Sequence, residues 1–230
     1  MNNKVVLEVC CGGWQSAVRA VEGGAERIEL CQALPLDGLT PSIGLQKQVR
    51  KAFPQLLIHI LIRAREGDFV YDDDEVAIME ADIREAVEAG ADGIVCGALT
   101  ADGDVDTAAM ARWMAAAQGL PVTFHRAFDH TRDPQQALEQ LVELGVARVL
   151  TTGGRMADGT IARTAEEGIP ALRALVQQAA GRITIMPGCG INSLNAKKII
   201  EATGAREIHG SCQGGTAVKE IRLKIKDATF

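Results

Sequence analysis

Four times in this chain a glycine ends a helical stretch and leads within a few residues into a β-branched strand. The segments are Gly24-Ala25-Glu26-Arg27-Ile28-Glu29-Leu30-Cys31, Gly90-Ala91-Asp92-Gly93-Ile94-Val95-Cys96, Gly145-Val146-Ala147-Arg148-Val149-Leu150-Thr151 and Gly204-Ala205-Arg206-Glu207-Ile208-His209. Their glycines stand 66, 55 and 59 residues apart. Each sits where a left-handed helix cap needs a residue without Cβ. Four repeats of two strand–helix units make eight strands. An eight-strand βα array closes into a barrel, and a barrel's chemistry lies at the C-terminal ends of its strands.

The segments between the repeats supply the odd-numbered strands, at residues 5–10, 56–63, 122–128 and 183–186. They are rich in Val, Ile and Leu, as parallel strands covered by helices should be. Helical patterns run over 75–89, 134–144, 164–180 and 194–203. Asp133-Pro134 is a helix start, with Asp as cap and Pro in the first turn. No linker or low-complexity segment divides the chain, so residues 1–230 are expected to form one α/β domain, a (βα)8 TIM barrel. The end of the chain fits less well. Ile221-Arg222-Leu223-Lys224-Ile225-Lys226 alternates with a period of two, which predicts an irregular tail over 213–230. The eighth outer helix is then absent or replaced, and a partner subunit or the tail must cover the first and last strands.

Charge and composition exclude several function classes. A net charge of −6 argues against nucleic-acid and anionic-membrane partners. No apolar run approaches the roughly 18 residues of a membrane span. Met1-Asn2-Asn3-Lys4 runs straight into the first strand, so no signal peptide is expected. The six cysteines are then expected as reduced thiols in the cytoplasm.

Strand parity selects the side chains that enter the barrel, because successive residues point to opposite faces. Ile58, Ile60 and Ile62 form one apolar row, which leaves His59, Leu61 and Arg63 inside. The same reasoning sends Val6, Glu8 and Cys10 inward, then Glu29 and Cys31, then Thr123 and His125, and finally Glu207, His209 and Ser211. Buried charges are costly unless paired. A purely structural barrel would fill these layers with Val, Ile and Leu. Glu8, Glu29, Arg63, His125 and His209 are therefore candidates for one pocket. A structural ion network of Glu8, Glu29 and Arg63 is the alternative.

Loops at the same end add candidate anion ligands. Arg63 and Arg65 follow the third strand, Arg126 and Asp129 the fifth, and Pro187-Gly188-Cys189-Gly190 the seventh. Guanidinium groups suit carboxylates and phosphates. The loops after strands seven and eight are the common phosphate site of barrels, which adds Gly188, Gly190 and Ser211. A Gly-x-Gly lacking its third glycine is not a dinucleotide fingerprint, and no organic cofactor is predicted. Asp102-Gly103-Asp104-Val105-Asp106 resembles a calcium loop, but Thr107 and Trp113 stand where Gly and Glu are required. It reads as a turn with a helix cap. Cys10 and Cys31 end adjacent strands on the inner row, and adjacent strands lie about 4.8 Å apart. Two thiols at matched height suit a soft ion, Cu(I) or Zn. The bland alternative is two buried cysteines, since free Cys is often buried.

Several stretches resemble the CutC family, proteins classed as copper homeostasis proteins and built as barrels. They include Glu8-Val9-Cys10, Gly24 to Cys31, Gly38-Leu39-Thr40-Pro41-Ser42, Gly67-Asp68-Phe69-Val70-Tyr71, Val122-Thr123-Phe124-His125-Arg126-Ala127-Phe128-Asp129, Arg148-Val149-Leu150-Thr151, Met186-Pro187-Gly188 and Glu207-Ile208-His209. The resemblance spans Leu7 to about Ser211. It implies copper binding through Cys10 and Cys31, a cytoplasmic location and an oligomer, often a homodimer. This chain departs from the family pattern at Ala64 and Glu66, which stand for Pro and Gly, and at Cys189, which stands for Gly. Two functional readings stay open. One is a copper homeostasis protein holding Cu(I) at Cys10 and Cys31. The other is a barrel enzyme acting on a small anionic metabolite, phosphorylated or not. There Glu8 or Glu29 is the base, His125 or His209 its acid–base partner, and Arg63 with Arg126 the anion clamp.

Overall fold

Alternation of strand and helix holds along the whole computed structural model, which describes residues 5–155, 159–211, 214–226 and 228. The strands are β1 (Val6–Cys11), β2 (Arg27–Leu30), β3 (Leu57–Leu61), β4 (Gly93–Cys96), β5 (Val122–Phe124), β6 (Arg148–Thr151), β7 (Thr184–Pro187) and β8 (Glu207–Gly210). The helices are α1 (Trp14–Glu22), α2 (Ile43–Ala52), α3 (Asp73–Glu88), α4 (Thr107–Ala116), α5 (Pro134–Glu143), α6 (Ile169–Ala179), α7 (Ala196–Thr203) and α8 (Gly215–Ile225). The strands form one parallel eight-stranded sheet in the order β7-β6-β5-β4-β3-β2-β1-β8. Its end strands β7 and β8 lie against each other, so the sheet is a nearly closed barrel of the TIM type. No helix among the described residues is long and apolar enough to cross a membrane.

The glycine punctuation has a physical basis. Gly24, Gly90 and Gly145 have φ of 83°, 88° and 77°. At each, the glycine N–H and the next N–H turn back to the last helical carbonyls, as in Gly90 to Val87 (3.0 Å) and Ala91 to Ala86 (3.0 Å). This double bond pattern needs a left-handed residue. An added Cβ at Gly145 would meet nothing within 4 Å, so the demand there is conformational alone.

The two faces of the strands separate cleanly. Leu7, Val9, Ile28, Leu30, Ile58, Ile60, Ile62, Ile94, Val122, Phe124, Val149, Ile185 and Ile208 join the helices in one apolar layer. Inside the barrel the apolar content is small, with Cys31, Leu61 and Val95 packed beside Cys10. β5 is shorter than its sequence pattern suggests. After Phe124 the chain turns into a short 3-10 helix over Arg126–His130, because the His125 Nδ1 accepts the Ala127 N–H (3.2 Å) and its carbonyl accepts that of Phe128 (3.1 Å). The Asp106 carboxylate caps α4 through the Ala109 N–H, as a turn with a helix cap requires.

The C-terminal segment corrects the expectation of a missing eighth helix. α8 is present, and Val218, Ile221 and Ile225 face inward at helical spacing. Leu223 is 61% exposed, so the apparent alternation over six residues was a helix seen through too short a window. α8 packs on α1 and α7, and Arg222 pairs with Glu26 (3.1 Å). β1 and β8 are thus covered by the chain's own helix, and the uncovered wall that argued for a partner subunit does not exist.

The docking of α8 makes a sign-specific prediction. Gly23 caps α1 with φ −74°, a conformation open to alanine. Gly→Ala at such a site ordinarily stabilises by about 0.4–1 kcal/mol. Here a Cβ would lie 2.5 Å from the Gly215 carbonyl oxygen and 2.7 Å from Val218 Cβ. Gly23→Ala should therefore destabilise, by about 1–3 kcal/mol, in urea unfolding. A gain in stability would show that α8 does not seat on α1.

Candidate functional site

The barrel floor is an ion network. Glu8, from β1, is fully buried and lies 2.7 Å from Arg27 Nε and 3.0 Å from His59 Nδ1. Arg27 also pairs with Glu207, which is held in turn by Arg148 Nε at 2.8 Å. Burial works to raise the Glu8 carboxyl, but the His59 hydrogen bond and the Arg27 charge hold it down at about 2. Register brings these groups together: Glu8 is the Cα partner of Arg27 on one side and of His209 on the other. The structural reading of Glu8 thus has direct support. Its partners, however, are Arg27 and His59 rather than Arg63.

One tier higher, His209 Nε2 lies 3.5 Å from Glu29 Oε2 and 3.9 Å from Glu8 Oε1. Burial alone would lower the His209 pKa, but Glu29 and Glu8 raise it to about 9, so the ring is an imidazolium at neutral pH. Cys10 Sγ lies 3.6 Å from Glu29 Oε1 and 3.8 Å from Cys31 Sγ. The thiol–thiol contact, then burial and the Glu29 charge, push the Cys10 pKa up, and only the His209 charge opposes them. Two sets of donor atoms, Cys10–Glu29–Cys31 and Glu8–Glu29–His209, each fall within 4.8 Å of one another. The first mixes soft sulfur with oxygen, and the second offers only oxygen and nitrogen.

Above these tiers opens a cavity of about 220 Å³ at the C-terminal end of the strands. Cys10, Glu29, Arg63, His125, Arg126, Cys189, Gly190, His209 and Ser211 line it, with Asp37, Leu61, Phe69, His130 and Leu150. Of the five candidates for one pocket, Glu29, Arg63, His125 and His209 reach it. Glu8 lies beneath, closed off by its partners. Arg63 is buried under the Phe69 ring, 5.0 Å from its centroid. It donates to the carbonyls of Leu36 (3.0 Å), Gly38 (3.3 Å) and Gly67 (2.9 Å). Its terminal nitrogens thus tie two loops together. Arg65 points elsewhere, into ion pairs with Asp68 (3.0 Å) and Glu75 (2.5 Å). The Gly188 N–H is donated to the Thr151 carbonyl (3.0 Å), and the Asn192 and Leu194 N–H groups bond within their own loop. Burial, with the Arg63 charge, pushes the His125 pKa down to about 3, which keeps that ring neutral.

Sequence reasoning missed Arg27 and Arg148, although both sit on inward rows, two residues before Glu29 and Leu150. Continuing the parity count toward the strand starts would have found them. Asp37 enters from a loop and His130 from the end of the 3-10 helix, and neither carries a periodic signal. Cys11 and Cys96 belong to the helix-facing layer, and Cys212 lies outside the described residues.

Comparison with known proteins matches this architecture. A model of the CutC family matches residues 5–214. The human protein named copper homeostasis protein cutC homolog is 47% identical over 227 residues, covering 99% of this chain and 79% of its own length. A CutC family protein of Bacteroides thetaiotaomicron is 47% identical over 210 residues, covering 91% and 82%. The crystal structure of CutC from Streptococcus agalactiae superimposes with a TM-score of 0.84 at 36% identity, covering 90% of this chain and 98% of that one. A 3-keto-L-gulonate-6-phosphate decarboxylase from Vibrio cholerae shares the fold alone, with a TM-score of 0.68 at 17% identity, over 99% of this chain and 100% of that one.

The His209 ion pair predicts a pH signature in protein stripped of metal by a chelator. A histidine pKa raised from 6.5 to about 9 contributes stability that is full below pH 6.5 and is lost as pH rises through 9. The stability gap between the parent and His209→Gln should be widest below that window. It should close across the window at on the order of 1 kcal/mol per pH unit. A gap that stays constant from pH 6 to 9.5 in urea melts would show that the ring is not charged in the folded protein.

Proposed function

We propose, from the fact that this chain belongs to the CutC family, that it is a cytoplasmic copper homeostasis protein taking Cu(I) as its cargo between Cys10 and Cys31. The supporting observation is the sulfur–sulfur distance of 3.8 Å on neighbouring strands. A linear two-thiolate site needs about twice a metal–sulfur bond, ~4.6 Å with bonds of ~2.3 Å. Side-chain rotation of less than 1 Å would open that gap. Thiolates select Cu(I) over harder ions. Cys31 is fully buried while Cys10 faces the cavity, so an ion would enter past Cys10. The thiols must lose their protons on binding, and the Glu29 carboxylate beside Cys10 is the acceptor at hand.

The homodimer implied by the resemblance belongs to the same proposal. Leu34, Leu36 and Val70 expose apolar side chains on loops at the cavity end, where a second copy could cover them. A single-chain mass by light scattering at micromolar concentration would remove it.

One observation favours a second reading. The Glu29–His209 pair opens into the cavity, and a two-thiolate site makes no use of the His209 ring. It supports a barrel enzyme acting on a small anionic metabolite, with Glu29 as base and His209 as its acid–base partner.

Copper binding is tested by titrating the reduced protein with Cu(I) against a chromophoric competitor. About one Cu(I) per chain is expected. Cys10→Ser and Cys31→Ser should each weaken binding at least 100-fold, since one thiolate does not replace two. Affinity should also rise with pH, because the raised Cys10 pKa makes protons compete with the metal. Equal affinity in the double variant and the parent would end the copper reading.

A further inference from the structure

The outer half of the cavity carries donors that neither the thiol pair nor the ion network uses. The His125 Nδ1 accepts the Ala127 N–H (3.2 Å), which places the proton of the neutral ring on Nε2. That Nε2 is buried, belongs to a cavity-lining residue and has no hydrogen-bond partner among the described residues. A buried donor without an acceptor is costly, and an acceptor atom supplied by a ligand would satisfy it. Burial and the Arg63 charge keep the ring neutral, so it is a donor and not a cation.

The next residue adds a cation. Arg126 Nε donates to Asp129 Oδ2 (3.0 Å). Asp129 is itself fixed by the Thr151 hydroxyl and the Thr152 N–H. This brace orients the guanidinium and leaves its two terminal nitrogens without a hydrogen bond to the described residues. The Cys189 sulfur and the Asp37 carboxylate both lie within electrostatic reach of it. Cys189 stands in a left-handed conformation, φ 70°, and lines the same cavity.

We propose that the His125 Nε2–H and the Arg126 guanidinium hold the carboxylate of a small metabolite, with the Cys189 thiol at the edge of that site. A planar fork with one neutral donor beside it suits a carboxylate monoanion. Three of the loop N–H groups that a phosphate dianion would call on, those of Gly188, Asn192 and Leu194, are already bonded within the protein. A cavity of about 220 Å³ accommodates a ligand of the size of a short-chain oxo or hydroxy acid. The far end of such a ligand would face Glu29 and His209. The site deepens the metabolite reading and is independent of copper.

Affinity labelling tests it. Iodoacetate carries a carboxylate and iodoacetamide does not. In both, the Cys189 sulfur attacks the methylene carbon, the S–C bond forms, iodide leaves and the thiol proton goes to buffer. Peptide mass mapping reads each cysteine separately, with glutathione as the free-thiol control. The iodoacetate-to-iodoacetamide rate ratio at Cys189 should exceed that of glutathione at least tenfold. Arg126→Gln should return the ratio to the glutathione value, and the ratio cancels any change in the reactivity of the Cys189 thiol itself, which affects both reagents alike. Malonate should slow iodoacetate labelling saturably, and sulfate should not. A parent ratio equal to that of glutathione, or an enhancement that survives Arg126→Gln, overturns the proposal. If Arg126→Gln does not fold, Arg126→Lys replaces it with a partial loss expected, and absence of malonate protection in the parent overturns the proposal alone. The labelling reads docking only. Turnover is read separately through Glu29→Gln, so failure of the docking site and failure of the enzyme reading are told apart.

Discussion

Charge pairing inside the barrel is the constraint on which the rest of the structure depends. Glu8, Arg27, Glu207, Arg148 and His59 occupy layers that a purely structural barrel fills with aliphatic side chains. Removing one partner of such a pair costs about 3–5 kcal/mol, because the other charge stays buried alone. The network therefore fixes strand register as firmly as the apolar layer does. A one-residue slip would send Glu8 and Glu29 among the helices and Ile28 into the polar floor. The Cys10 thiol and the His209 imidazole above depend on that register, since they sit two residues along their strands from Glu8 and Glu207.

The fold was legible because its determinants are local and repeated. The glycines at 24, 90, 145 and 204 report helix ends through backbone conformation, and alternation reports which face is wet. The same parity rule placed Cys10, Glu29, Cys31, His59 and His209 inside, where the structure has them. α8 was misread because six residues cannot separate a period of two from one of 3.6 when Arg222 and Lys224 happen to fall beside the buried positions. Loop side chains were the other failure. Arg65 and Arg126 look alike in sequence, yet Arg65 is drawn off by Asp68 and Glu75, whereas Asp129 braces Arg126 at the cavity. Which carboxylate captures which arginine depends on tertiary placement, and no spacing rule carries it.

The site is layered by charge state, and the layers bear on how cargo or substrate could be handled. At the floor every charge is answered, and Glu8, held at about 2, stays ionised through the physiological range. In the middle, His209 is already protonated, so it cannot accept the protons that the Cys10 and Cys31 thiols must shed to bind a metal. Glu29 touches both groups, accepting the Cys10 S–H and lying beside the His209 ring. A metabolite carboxylate held higher up at Arg126 would meet the same Glu29 from above. In this geometry the two readings share a single residue: the Glu29 carboxylate that accepts the Cys10 S–H also lines the cavity beside His209.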